Sequence, residues 1–301
     1  MKINIAVAMH KKIEFDLPEI YIPVQVNAKV NGEWPGYIHD SDGDNISEKN
    51  CSYCELTAMY WLWKNSDADI KGLCHYRRYF SNDEHITMSE ANVRPEKNMY
   101  KYVLQKAEIE HYLQDFDAIV VRPYRPYPMC EYDDLNRWCY EKDIEVLKRA
   151  VINLYPDYLP AYNEVMQSTN LSHFNMIITK ARIFDDYSKW LFTIMSEVEK
   201  NTNIQNYDIQ HKRIYGYLAE ALLNVYIKKN NLNVKYSKLV VPATFMNVSK
   251  FRMNIRRCWS KVQNFALFIK IYWIIELLYK TFRPKQFNKY IAYKNAMKSE
   301  E

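Results

Sequence analysis

The chain has 301 residues and a formal charge of +5, from 41 Lys and Arg against 36 Asp and Glu. That length buries a sizeable core as one large α/β domain or two smaller ones. With 5 glycines and neither GxGxxG nor GxxxxGK, the glycine-loop devices of dinucleotide oxidoreductases and P-loop kinases are set aside.

The first apolar run, Ile3–Met9, reads as a central strand opening into the polar loop His10-Lys11-Lys12. It is too short and wrongly flanked for a signal peptide, so a reducing cytosolic setting is expected. The six cysteines, at 51, 54, 74, 130, 139 and 258, fit that setting as thiols. Cys51-x-x-Cys54 has no second pair at zinc-site spacing. Ile20–Val26 is a second strand candidate, placed by Pro23 at an edge or a strand start.

The densest polar chemistry lies between Asp40 and Phe80. Asp40, Asp42 and Asp44 alternate like the opening of a calcium loop, but Asn45 and Cys51 stand where that loop needs Gly and Glu. A helix start fits better, with Ser47 as a cap and free N–H groups suited to a phosphate or a sugar hydroxyl; a purely structural turn is the other reading. Glu55–Asn65 reads as a short buried helix. Ile70–Cys74 is then a strand that delivers His75, Arg77 and Arg78 at its C-terminal end, where open α/β sheets bind ligands. Guanidinium forks suit a diphosphate, and His75 suits phosphate binding, sugar orientation or proton acceptance. Adjacent strand residues point to opposite faces, so one of the two arginines is expected to pair with an acid unless the strand has ended.

Lys97–Gln114 reads as a helix and Phe116–Arg125 as a buried strand ending in a basic loop. Asp133 and Asp134 either bind an acceptor or begin the helix that runs through Asp143–Leu154. Ser172–Lys180 is a further strand, with Asn175 at its polar entrance as a partner for a sugar hydroxyl, and Ile183–Glu199 is a core helix. The helix Tyr217–Lys229 is mostly apolar, which makes Glu220 conspicuous: a carboxylate there needs a partner or a raised pKa, as a general base or in a structural ion pair. From Phe251 onward there are 11 Lys and Arg against 3 Glu and no Asp. Charges spread through Trp259–Phe282 argue for a basic amphipathic segment on an anionic membrane surface, not a spanning helix, and make nucleic acid the poorer partner.

Three stretches, Asp42–Ser47 (DGDNIS), Tyr53–Asn65 (YCELTAMYWLWKN) and Gly72–Phe80 (GLCHYRRYF), resemble the bacterial family known as domain of unknown function 4422, and Arg213–Tyr226 adds a fourth. The family sits among capsule, exopolysaccharide and O-antigen biosynthesis proteins and is taken to hold glycosyltransferases, some galactofuranosyltransferase-like. The resemblance implies an α/β fold of the GT-A type over residues 1–250, with a mixed, mostly parallel sheet, followed by the basic segment 251–301.

In such enzymes the loop after the first strand holds the nucleotide, which nominates His10 and Lys11. The usual Asp-x-Asp metal site is expected at the end of the Phe116–Arg125 strand, where Arg122 stands instead. A cation can do the metal's electrostatic work on the leaving diphosphate, so no metal is required. Alternatively Asp40, Asp42 and Asp44 hold Mn²⁺ or Mg²⁺.

The expected donor site is thus His10, Lys11, Asp40, Asp42, Asn45, Ser47, His75, Arg77, Arg78, Arg122 and Asn175, with Glu220, His75 or Asp44 as proton acceptor. The implied reaction is hexosyl transfer, possibly of galactofuranose, from a UDP-sugar to a lipid-linked or growing polysaccharide at the inner membrane face. Rival readings are a non-catalytic carbohydrate-binding protein on the membrane surface and a phosphoryl or glycerol-phosphate transferase.

Overall fold

The structure is a computed structural model that describes residues 1–13, 15–82, 92–94, 99–123 and 130–242. The basic segment 251–301 lies outside the described residues, as does Arg125. Strand β1 (Ile3–Met9) leads to β2 (Tyr21–Gln25), the single turn α1 (Ala28–Asn31) and β3 (Ile38–His39). Helices α2 (Asn50–Tyr53) and α3 (Leu56–Asn65) precede β4 (Ile70–His75), β5 (Tyr79–Phe80) and β6 (Asn92–Arg94). Then follow α4 (Lys106–Asp115), β7 (Ala118–Val121), α5 (Glu131–Leu135), α6 (Glu141–Leu154) and α7 (Leu159–Gln167). The described chain finishes with β8 (Ile177–Lys180), α8 (Ala181–Lys200), α9 (Ile214–Lys229), β9 (Val234–Ser237) and β10 (Leu239–Pro242).

Seven strands form one sheet in the order β3-β2-β1-β4-β8-β7-β9, and β5, β10 and β6 form a second. In the large sheet β8 alone runs antiparallel, between β4 and β7. The fold class is therefore the α/β arrangement with a mixed, mostly parallel sheet. Alternation splits the core along β1: Ala6 and Ala8 pack with α3, α8 and α9, whereas Ile5, Val7 and Met9 pack with α4 and the small sheet. Gly72 is required where β4 meets β8, since a Cβ there would lie 2.8 Å from Ile178 Cγ1. Among the described residues no helix is long and apolar enough to cross a membrane.

Several boundaries differ from the sequence expectation. Helix α4 begins at Lys106, because Gln105 and Glu108 form a capping box and Leu104 N–H bonds Phe80 O instead. Pro23 is tolerated inside the sheet because β3 pairs only with Val24 and Gln25. The acidic loop departs most. Asp40 is fully buried, and its carboxylate accepts the N–H groups of Asn27 (2.9 Å) and Ala28 (3.1 Å) and the hydroxyls of Ser47 (2.5 Å) and Thr57 (2.6 Å). Asp40 and Ser47 thus hold the β2–α1 corner to α3 and are closed to a ligand. Asn45 folds its amide onto the carbonyls of Ser41 and Gly43.

Replacing Asp40 by Ala leaves two N–H groups and two hydroxyls short of an acceptor. A loss of about 3 kcal/mol is expected, read as a lower urea midpoint at unchanged slope.

Candidate functional site

A cavity of about 1010 Å³ opens at the C-terminal ends of β1 and β4. Because β8 runs the other way, its N-terminal approach, His173 and Phe174, reaches the same edge. Residues 50–55 around α2, Glu131–Trp138 around α5 and the start of α9 complete the walls.

The cationic side is built by the end of β4. His75 N–H bonds Arg78 O at 3.2 Å and Arg78 N–H returns to His75 O at 3.0 Å, so the strand stops at His75 and a tight turn carries both arginines into the cavity wall. Neither arginine pairs with a carboxylate among the described residues, in keeping with a strand that has ended before them, the case in which both can face one site. Arg77 Nε is buried without a partner. The Arg78 guanidinium lies 4.3 Å from the Phe174 ring centre.

Two histidines complete this side. His75 Nε2 meets Phe174 O at 2.7 Å; a carbonyl only accepts, so Nε2 carries the proton and Nδ1 keeps the lone pair in the neutral ring. Burial and, next, the Arg78 charge lower its pKa, against the opposing pull of Glu55. His10 stands over Tyr76 and meets its hydroxyl at 3.0 Å. Burial, Arg77, Lys11 and Arg213 lower its pKa as well.

Acidic residues line the same cavity. Glu220, on α9, is 3.6 Å from His173 Nδ1. Burial opposes its charge, but His173, the Phe174 N–H and His75 outweigh that and hold its carboxyl below the ordinary 4.5. Glu55, which sequence reasoning read as helix, also lines the cavity and is held by the Asn175 amide at 2.7 Å. Asn175 itself is 2% exposed and outside the lining, with a second bond to Gly216 O at 2.9 Å. It orients Glu55 instead of meeting a sugar. Phe174 and Asn175 carry φ of 76° and 55°, a left-handed kink that non-glycine residues rarely adopt.

Other expected contacts are not brought together. Arg122 is exposed beyond β7, with its N–H on Ser237 O, and misses the cavity. Lys11 is exposed and outside the lining. Asp42 caps His39 N–H at 2.9 Å, and Asp44 takes the Tyr60 hydroxyl at 3.1 Å and faces Lys64 at 3.8 Å. Asp40, Asp42 and Asp44 therefore do not fit a shared divalent ion. Glu131, Asp134 and His173 do offer ligand atoms within 4.8 Å of one another inside the cavity, although Asp134 also pairs with Arg137 at 3.1 Å. Arg213 and Glu131 were missed because the residues they meet in the cavity are distant in sequence, and Arg213 opens the fourth recognisable stretch, which was the one available signal; Asp134, read as an acceptor contact or a helix start, lies in α5 and lines the cavity.

Imidazole titrations followed by NMR are expected to separate the histidines. His10 and His75 should have midpoints below the ordinary 6.5. His39, desolvated but bonded to Trp34 O and facing Asp42 and Glu33, should titrate above it.

Comparison with known proteins adds three findings. No curated protein matches the chain. The apo structure of the bifunctional glycosyltransferase WbbM is similar at 30% identity and a TM-score of 0.75, over 81% of this chain and 46% of that one. This chain thus spans less than half the length of WbbM. The profile of the family described as domain of unknown function 4422 matches residues 4–231. The chain belongs to the domain of unknown function 4422 family.

Proposed function

We propose that this chain is a glycosyltransferase that takes a hexose, galactofuranose foremost, from a UDP-sugar. The acceptor is a lipid-linked or growing capsule, exopolysaccharide or O-antigen chain. The observation that carries the reading is the pair Arg77 and Arg78, free of carboxylate partners among the described residues, at the strand-end edge of a cavity that the ionised Glu220 also lines. The likeness to a glycosyltransferase structure at 30% identity supports it. A cavity of about 1010 Å³ lined by arginines and carboxylates also favours an enzyme over a shallow carbohydrate-binding surface.

In this reading the GT-A-like domain is residues 1–250. The acceptor oxygen bonds to the anomeric carbon as the bond from that carbon to the diphosphate oxygen breaks. Arg77 and Arg78 take the charge left on the departing UDP. Glu220, steadied by His173, accepts the acceptor's proton. His75, neutral and fixed by Phe174, orients the donor. Asp44, tied to Tyr60 outside the cavity, has no part in this chemistry. The arginines make a metal unnecessary, and the basic segment 251–301 holds the enzyme on the anionic inner leaflet.

Binding and turnover of a panel of UDP-sugars test this. Arg77→Ala and Arg78→Ala are each expected to weaken UDP binding about tenfold, and Arg122→Ala to leave it unchanged. Glu220→Gln should lower turnover about a hundredfold with UDP affinity kept. Activity is expected to survive EDTA; its loss would place an ion on Glu131, Asp134 and His173 and end the metal-free mechanism. Removal of residues 251–301 should abolish cosedimentation with anionic vesicles while soluble-donor turnover persists.

A further inference from the structure

The turn that joins α2 to α3 carries an unexpected residue. Cys54 sits at φ 52° and ψ −129°, and Glu55 follows at −62° and −16°. This is a type II′ turn with Cys54 in its first central place, where glycine is favoured because an L side chain crowds its own backbone. Nothing in the turn itself calls for a side chain.

The thiol has a use outside the turn. Arg213 Nε donates to Cys54 Sγ at 3.3 Å, from the residue that caps α9. Gly216 lets α9 come this close, since a Cβ there would stand 3.3 Å from both Cβ and Sγ of Cys54. On its other side the Arg213 guanidinium lies 5.3 Å from the Tyr217 ring centre, and Tyr217 stacks on Trp138 at 5.6 Å. The arginine is therefore held at two points, while its terminal nitrogens have no protein acceptor among the described residues. It lines the same cavity as Arg77 and Arg78, and its charge reaches His10, as that of Arg77 does.

We infer that Arg213 is a third cation of the anion site, reaching the donor's diphosphate from α9 while Arg77 and Arg78 reach it from the sheet, and that Cys54 is its positioning residue. A guanidinium fixed through Nε presents its two remaining N–H pairs as a preformed fork for phosphate oxygens, with less freedom to lose on binding. The inference rests on the nucleoside-diphosphate reading above. It explains why a cysteine occupies a glycine position at the cost of local strain.

The test is calorimetric binding of UDP and of inorganic pyrophosphate to the full chain, with thermal melts alongside. Wild type should bind both. Arg213→Lys, which keeps charge but loses the fork, should weaken both about tenfold. Cys54→Gly relieves the turn and removes the acceptor; it should melt no lower than wild type and still bind about tenfold more weakly. Cys54→Ser, whose hydroxyl can accept from Nε, should stay within about threefold of wild type. Wild-type affinity in Cys54→Gly or Arg213→Lys would overturn the inference while leaving the donor reading in place. Failure of wild type to bind either UDP or pyrophosphate would end the donor reading and this inference with it.

Discussion

The site depends on three residues before β8, His173 to Asn175, and on the hydrogen bonds they distribute. Phe174 receives the His75 ring on its carbonyl, and its backbone N–H helps keep Glu220 ionised. Asn175 sends one amide to both Glu55 and the Gly216 carbonyl. The end of β4, the start of α3 and the start of α9 are thereby indexed to one short loop. Its two left-handed residues and the buried, unpartnered Asn175 Oδ1 are the local cost of that convergence. Antiparallel β8 is what brings the loop to this edge, for a parallel strand would have delivered its other end.

Electrostatics give the cavity its polarity. Arg77 and Arg78 come from a tight turn and Arg213 from the start of α9, while Glu55 and Glu220 line the same cavity, so opposite charges share one space without forming salt bridges between these arginines and these acids among the described residues. Partly buried guanidinium groups without acid partners are costly unless something anionic completes them. The depressed pKa values of His10 and His75 report desolvation first; the Arg77, Lys11 and Arg213 charges add to it at His10, whereas at His75 the Arg78 charge is opposed by Glu55. The lowered pKa of Glu220 reports its His173 partner and the Phe174 N–H. A site of this kind is prepared for a ligand that carries negative charge at one end and a proton to give up at the other.

The acidic run from Asp40 to Asp44 shows where local reading misleads. Alternating carboxylates near a glycine suggest a ligand loop, yet Asp40 spends its oxygens on Asn27, Ala28, Ser47 and Thr57, three of which lie 12 to 17 residues away. Arg122 misled in the same way. It stands at a strand end, but β7 lies two places from β4, beyond β8, and its end does not reach the cavity. Asn175 was singled out correctly as special and assigned the wrong task, because burial is not visible in a polar residue's identity.

What the sequence determined by itself was the class of fold and the neighbourhood of the chemistry. The apolar run Ile3–Met9, the apolar helix faces and the density of His75, Arg77 and Arg78 after a short strand are local patterns, and local sterics and hydrophobic burial read them directly. What only the tertiary structure decided was which charged residues share a space. Glu55, Arg213 and the α5 pair Glu131 and Asp134 come from three separate elements, and their meeting depends on strand order, on the reversed β8 and on the close approach of Gly216 to Cys54. A charge's role is fixed by the partners and solvent around it, and those are supplied by the folded chain, not by its neighbours in sequence.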